Sequence, residues 1–343
     1  MVGSTRLANL WTLLGLLSLI NRQTLALNIR HNNFNTAFSR RQFARRISTT
    51  TTSASIAAIV NFGASKTQSV ASAITSSTPS SSSSSTSFIA DRFDSDILTS
   101  PSITAGTKNT GHENLYFPQW MEGEWDVTQT LVSASAPLGI KFVGGPMGSI
   151  EIAEKTMNEQ TRRLNEPVRL KLRYVRTNLG VVEDRAYNWR NRLDSFAGRS
   201  VVASVVYADV RESNRASVLA SGGSASDPLM TTIVYFKGPA AQKTFVISHG
   251  QDPTVGGDDI VWSGYEFDRS IFALTNQNTA PPVTTDTEAI YSLKRIGNDR
   301  VEGRLRLAGY LNPQADQLYF EARNRAVSLN DYTLSFTRTS TTS

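Results

Sequence analysis

The chain has 343 residues, with 35 Lys and Arg against 29 Asp and Glu, a formal charge of +6. It has no cysteine and three histidines, His31, His112 and His249. That excludes disulfide frameworks, thiolate metal sites and cysteine nucleophiles, and it leaves little for a histidine-built centre. The hydrophobic share of 39% is enough for a packed core.

The charge is unevenly placed. Asp91 is the first acid in the chain, whereas residues 1–73 hold eight cations. Without that segment 27 cations face 29 acids, a net of −2. The basic excess, which would otherwise suggest nucleic acid, belongs to the leader, so no nucleic-acid partner is expected.

Residues 1–38 read as signal and plastid targeting. Arg6 precedes an apolar run from Leu7 to Ile20, 14 residues long and short of the roughly 20 that span a bilayer. An Arg- and Ser-rich, acid-free stretch follows, and Ala37-Phe38 resembles the cleavage junction of precursors bound for complex algal plastids. Residues 39–73 read as a second, twin-arginine-type segment. Ser39-Arg40-Arg41-Gln42-Phe43 precedes a modest apolar run, and Ala71-Ser72-Ala73 offers a small-x-small cleavage site. This order points to the thylakoid lumen. Residues 74–111 contain a Ser/Thr tract and are assigned to a disordered linker.

Residues 112–340 are assigned to one all-β domain. Apolar and polar residues alternate with period two through Trp125, Val127 and Leu131, then through Val168, Leu170, Leu172 and Tyr174. Further strands are expected from Val201, over Leu229–Phe236, through Phe245, Ile247 and His249 on one face, and over Ile260–Phe267. Thr287–Ile296, Arg300–Leu311 and the stretch around Tyr332, Leu334 and Phe336 complete nine or ten. Glycine-rich turns such as Gly297-Asn298-Asp299 separate them. Two helices are expected, at Ser149–Leu164 and at Arg190–Phe196. So many one-faced antiparallel strands bury that face by closing or stacking, as a barrel or a sandwich.

Gly123-Glu124-Trp125, after the aromatic turn Phe117 to Met121, resembles the G-x-W start of lipocalin-like barrels. The resemblance implies that Gly123 and Trp125 form the barrel floor and that Arg338, on the last strand, packs over the Trp. The lipocalin T-D-Y signature is absent. A wider likeness covers most of residues 117–338. It runs through Phe117-Pro118-x-Trp120, Ala136-Pro137-Leu138, Leu164-Asn165-x-Pro167-Val168 and Val182-x-Asp184-Arg185-Ala186-Tyr187-Asn188. It resembles an uncharacterised cyanobacterial and plastid domain family, which implies setting and fold but no chemistry.

On a strand, Val182, Asp184, Ala186 and Asn188 would share one face, and Arg185, Tyr187 and Trp189 the other. Asp184 and Asn188 are then a polar pair orienting a ligand in an apolar cup, or a hydrogen-bonded corner before the helix. His249, with an unperturbed pKa of about 6.5, would titrate in an acidified compartment. The loop from Gln251 to Asp259 lacks the ligand spacing of a calcium site, so no metal and no cofactor are expected. Arg169, Lys171 and Arg173, and likewise Arg304 and Arg306, read as solvated outer stripes. Nucleophile-elbow, phosphate-loop and zinc-protease motifs are absent.

The expectation is therefore a lumenal, lipocalin-like barrel that binds an amphipathic small molecule (a lipid, pigment or quinone) rather than an enzyme. Trp125, Asp184, Arg185, Tyr187, Asn188 and His249 are the candidate ligand residues, in an interior lined by the Trp125, Leu170 and Phe245 faces. The alternatives are a docking factor for a photosynthetic membrane complex, with a filled barrel and peripheral membrane contact, and a lumenal lipid- or pigment-modifying enzyme.

Overall fold

A computed structural model describes residues 88–101, 114–208, 231–252, 260–276 and 282–339. The targeting segments, the Ser/Thr tract, His31, His112 and residues 253–259 of the glycine-rich loop lie outside the described residues.

Ten strands carry the fold. They are β1 (Gly123–Ser135), β2 (Pro167–Arg176), β3 (Val181–Glu183), β4 (Val202–Tyr207) and β5 (Thr231–Phe236). The rest are β6 (Ala240–Gln251), β7 (Val261–Leu274), β8 (Val283–Arg295), β9 (Arg300–Tyr310) and β10 (Ser328–Arg338). All pairings are antiparallel, in the order β3-β2-β1-β10-β9-β8-β7-β6-β5-β4. The all-β architecture is the one the alternation predicted. The sheet curls into a half-barrel, and β3 and β4 end the order without pairing to each other. Helices α1 (Phe88–Asp94), α2 (Ile150–Arg162), α3 (Arg185–Ala197) and α4 (Tyr319–Ala322) accompany it. Helix α3 packs against β2 on one side and against β4 and β5 on the other, so it occupies the gap between the two sheet edges.

Alternation decides which residues face inward. Trp125 stands opposite Leu172 and Arg338, and Val127 opposite Leu170 and Phe336. These apolar side chains fill the concave side at the β1 end together with Leu305, Tyr332 and Leu334. Each fully buried Leu or Phe there contributes roughly 1.5–3 kcal/mol of hydrophobic stabilisation. The other face of the same pair of strands puts Lys171 2.9 Å from Asp126 in solvent-exposed ion pairing.

The G-x-W segment closes one end. The Trp125 indole donates to Met121 O at 2.8 Å, and the Arg338 guanidinium lies 4.3 Å from its ring centroid. Arg338 also donates to the carbonyls of Glu122 and Trp120. A Cβ on Gly123, whose φ is +119°, would come within 2.7 Å of the Arg338 guanidinium, so only glycine fits there. Phe117 bridges the curl, hydrogen-bonding Val181 of β3 and stacking 4.6 Å from Trp262 of β7.

The convex face carries two departures from expectation. Residues 88–101 fell within the expected linker, yet α1 packs on β7 and β8. Ile89, Phe93 and Leu98 bury themselves against Tyr265, Phe267, Ile290 and Leu329. Leu98 O accepts from Ala326 N, and Ser100 N donates to Asn324 O, so the segment is strapped down on both sides. Beneath it Arg92 donates to both Glu288 oxygens, at 2.8 and 2.5 Å, and Tyr310 Oη donates to Glu288 Oε2 at 2.6 Å. The strap also covers Arg306, expected on a solvated stripe. Arg306 is buried, donates to both oxygens of Asp331 and reaches Ser95 O. Its neighbour Arg304 remains exposed, with its guanidinium 4.6 Å from the Phe93 ring.

Candidate functional site

Helix α3 starts where a strand was expected. Only Val181–Glu183 is extended. Asp184 is the N-cap, its Oδ1 accepting from Tyr187 N at 3.1 Å, and α3 runs on to Gly198, which ends it with a left-handed backbone. The strand phase of Asp184 to Asn188 is thus replaced by helical phase, which separates residues the alternation had grouped.

Asp184 also holds Arg173 of β2 at 2.6 Å. Asn188, wholly buried, accepts from Arg173 N at 2.7 Å and donates to Arg173 O and to Glu183. Tyr187 lies under the Arg173 guanidinium, 4.2 Å from ring centroid to carbon. Asp184, Tyr187 and Asn188 therefore weld α3 onto β2, and none of the three reaches the interior cavity. Their arrangement is the hydrogen-bonded corner rather than the ligand-orienting pair.

Arg185 turns inward instead. Its guanidinium forms a two-pronged ion pair with Glu266 of β7. It also lies 3.9 Å from Glu183, which accepts from Arg192 at 2.5 Å. Burial alone would raise the Glu183 pKa, but Arg192, Arg185 and the Asn188 amide outweigh it and hold the carboxyl below its ordinary value. Asp268, two residues after Glu266 on the same strand face, joins the group. Burial pushes its pKa well above the usual carboxylate range, the charge of Glu266 adds to that, and Arg185 opposes it.

These side chains form one wall of a cavity of about 140 Å³ between α3 and the concave sheet. Apolar lining comes from Trp189, Leu193 and Phe196 of α3, the helix that also supplies both arginines, and from Leu305 and Leu307 of β9. Ala289 and Tyr291 of β8 and Gln129 of β1 complete much of the perimeter. An interior of this size accepts one small ring, whereas most drug-sized ligand pockets are about 300 Å³ or more.

The other expected lining residues divide. Trp125 and Leu170 lie on the concave side, as parts of the filled core below the cavity. Phe245 faces the convex side, packed with Ile233, Ala241 and Ile271. His249 does not share that face. A β-bulge between Val246 and Ser248 shifts the phase, so Phe245 stands opposite Arg269 while His249 stands opposite Glu266. His249 is buried on the concave side, its Nε2 without a hydrogen-bond partner. Among the described residues no group of three or more His, Asp or Glu is arranged to hold a metal ion.

The acidic half of the cluster was missed from sequence. Glu266-x-Asp268 sits in a strand whose neighbours Trp262, Tyr265 and Phe267 are apolar. Two carboxylates at period two on an otherwise apolar strand were the available signal.

A family model described as a domain of unknown function, DUF6816, matches residues 109–340. None of the curated proteins matches the chain. No solved structure matches it either.

Proposed function

The chain belongs to the DUF6816 family, and we propose that its half-barrel is a binding module for a small amphipathic molecule in the thylakoid lumen. The observation that carries the binding reading is the mixed lining of the cavity. A cluster of two arginines and three carboxyls meets aromatic and aliphatic side chains around one enclosed space. Such a lining orients a molecule with a polar end and an apolar body. Its volume means that the enclosed part is a headgroup or a single ring of a lipid, pigment or quinone, with any long tail outside.

Mass spectrometry of small molecules extracted from the natively purified protein tests this. About one amphipathic molecule per chain is expected for the wild type, an order-of-magnitude stoichiometry for a single pocket. Ala289→Leu and Leu305→Phe add volume to the cavity wall and are expected to abolish that recovery while the circular dichroism spectrum is retained. Wild-type protein that carries nothing would sink the reading.

The lumenal setting rests on the leader, Arg40-Arg41 followed by Ala71-Ser72-Ala73, and on the plastid-type composition before it. Replacing Arg40 and Arg41 by Lys in a fluorescent fusion is expected to leave the protein in the stroma. Unchanged lumenal delivery would remove the twin-arginine step.

A second reading is a docking factor for a photosynthetic membrane complex. Exposed Leu179, Ile260, Val261 and Ile296, in turns and strand starts around the Trp125 end, favour it. A protein partner recovered in place of a small molecule would support docking.

A further inference from the structure

We infer that the cavity receives a neutral, ring-sized molecule through a hydrogen-bond-accepting oxygen, with the carboxyl O–H of Asp268 as the donor. This rests on the ligand-binding reading above and names the class of ligand.

The charge count comes first. Arg185 is matched by Glu266, and Arg192 by Glu183. The third carboxyl, Asp268, makes no ion pair among the described residues, and its Oδ1 is buried with no hydrogen-bond partner among them. An ionised carboxylate in that position would be an uncompensated buried charge, which is far costlier than a neutral acid. Burial holds Asp268 on the neutral side, well above the usual carboxylate range. A neutral carboxyl has one O–H to give. The molecule it faces must therefore present an acceptor, such as a ketone or quinone oxygen.

Net charge on the ligand is disfavoured in both directions. An anion would meet Glu183 and Glu266 with both arginines already committed. A cation would require Asp268 to ionise against its surroundings. The rest of the cavity sets the body. A cavity of about 150 Å³ lined by Leu, Ile and Phe holds benzene, and this one is about 140 Å³ with Trp189, Phe196, Leu193, Leu305 and Leu307 along it. One six-membered ring fits.

The groups facing Asp268 are Glu183 from β3, Arg185 and Arg192 from α3, Glu266 on its own strand and Tyr291 from β8. His249 of β6 lies opposite Glu266. Burial raises Tyr291 well above a phenol's usual range, so it stays neutral as pH rises. Binding of the ketone should weaken as pH climbs through the raised pKa of Asp268, because ionisation removes the donor.

Calorimetric titration of the full-length protein with cyclohexanone, methylcyclohexane and cyclohexylammonium tests this. One hydrogen bond to the ketone is read as the affinity ratio of cyclohexanone to methylcyclohexane, which is expected to fall about tenfold from the wild type to Asp268→Ala. Asp268→Asn, which keeps an N–H donor, is expected to retain the wild-type ratio. The ketone affinity of Asp268→Asn should also lose the wild type's pH dependence. A ratio unchanged in Asp268→Ala overturns the inference, as does tightest binding of cyclohexylammonium. If none of the three binds, the ligand-binding reading itself falls.

Discussion

Arg185→Met is expected to destabilise the protein by about 3–5 kcal/mol, the cost of leaving a buried carboxylate without its partner. For a domain of this size that is a fall in Tm of roughly 6–20 °C. Arg185 is the sole cation bonded to Glu266 among the described residues, and both side chains are buried. Removing it strands Glu266 and also takes one of two positive neighbours from Glu183. The double variant Arg185→Met with Glu266→Met is expected to recover more than half of the loss, because an apolar pair of similar volume can replace a buried ion pair. Thermal melts of the two variants check both statements. A single variant that melts within a degree or two of the wild type would show that Glu266 finds another partner.

The second large effect lies on the opposite face of the sheet. Arg92→Met is expected to cost about 3–5 kcal/mol by the same mechanism, since Glu288 is fully buried and among the described residues keeps only the Tyr310 hydroxyl. A local consequence separates this variant from the first. Arg92 also donates to Thr99 O, so its loss loosens the whole segment 88–101. Hydrogen exchange should rise across Leu98 to Ser100 and across the amide of Ala326, which bonds to Leu98 O. Limited proteolysis should cut within the segment before the rest of the fold is touched. Protection that stays at the wild-type level would refute a strap role for Arg92.

The strands were legible because one-faced burial writes itself into sequence. Trp125 and Val127 of β1, Leu170, Leu172 and Tyr174 of β2, and Tyr332, Leu334 and Phe336 of β10 recur at period two, and they are buried. Ser149 was likewise readable as a helix start, and its hydroxyl caps α2 by accepting from Ile152 N. Alternation failed where it had no physical basis. Val182 to Asn188 alternates by chance, and the decisive feature was the capping power of Asp184 combined with Gly198 downstream. In β6 the bulge at Ile247 inverted the phase, and no period-two count detects an inserted residue. Residues 88–101 were hidden by the serine tract before them, although Phe88, Ile89 and Phe93 are spaced to bury one side of a short helix.

The site itself was only half legible. Arg185 was singled out as part of a local motif, and it does line the cavity. Its partner is 81 positions away, and only the curl of the sheet brings the two together. The Asp184–Asn188 motif stands out because it builds the corner that aims Arg185, while two of the cavity's three acids, Glu266 and Asp268, come from a strand with no motif at all.

The closure of the half-barrel has a consequence for traffic. From β3 round to β4 the wall is one unbroken ladder, and a molecule crossing it would have to rupture backbone hydrogen bonds. Among the described residues the remaining wall is α3, held to β2 through Arg173 N and Asn188, to β4 through Ala186 N and the Tyr207 hydroxyl, and to the amides of Val201 and Val202 through Asp194. Parting the helix from the sheet breaks those few bonds and the Arg185–Glu266 ion pair, fewer than the ladder bonds between the long strands, so a molecule bound as proposed would enter beside the helix.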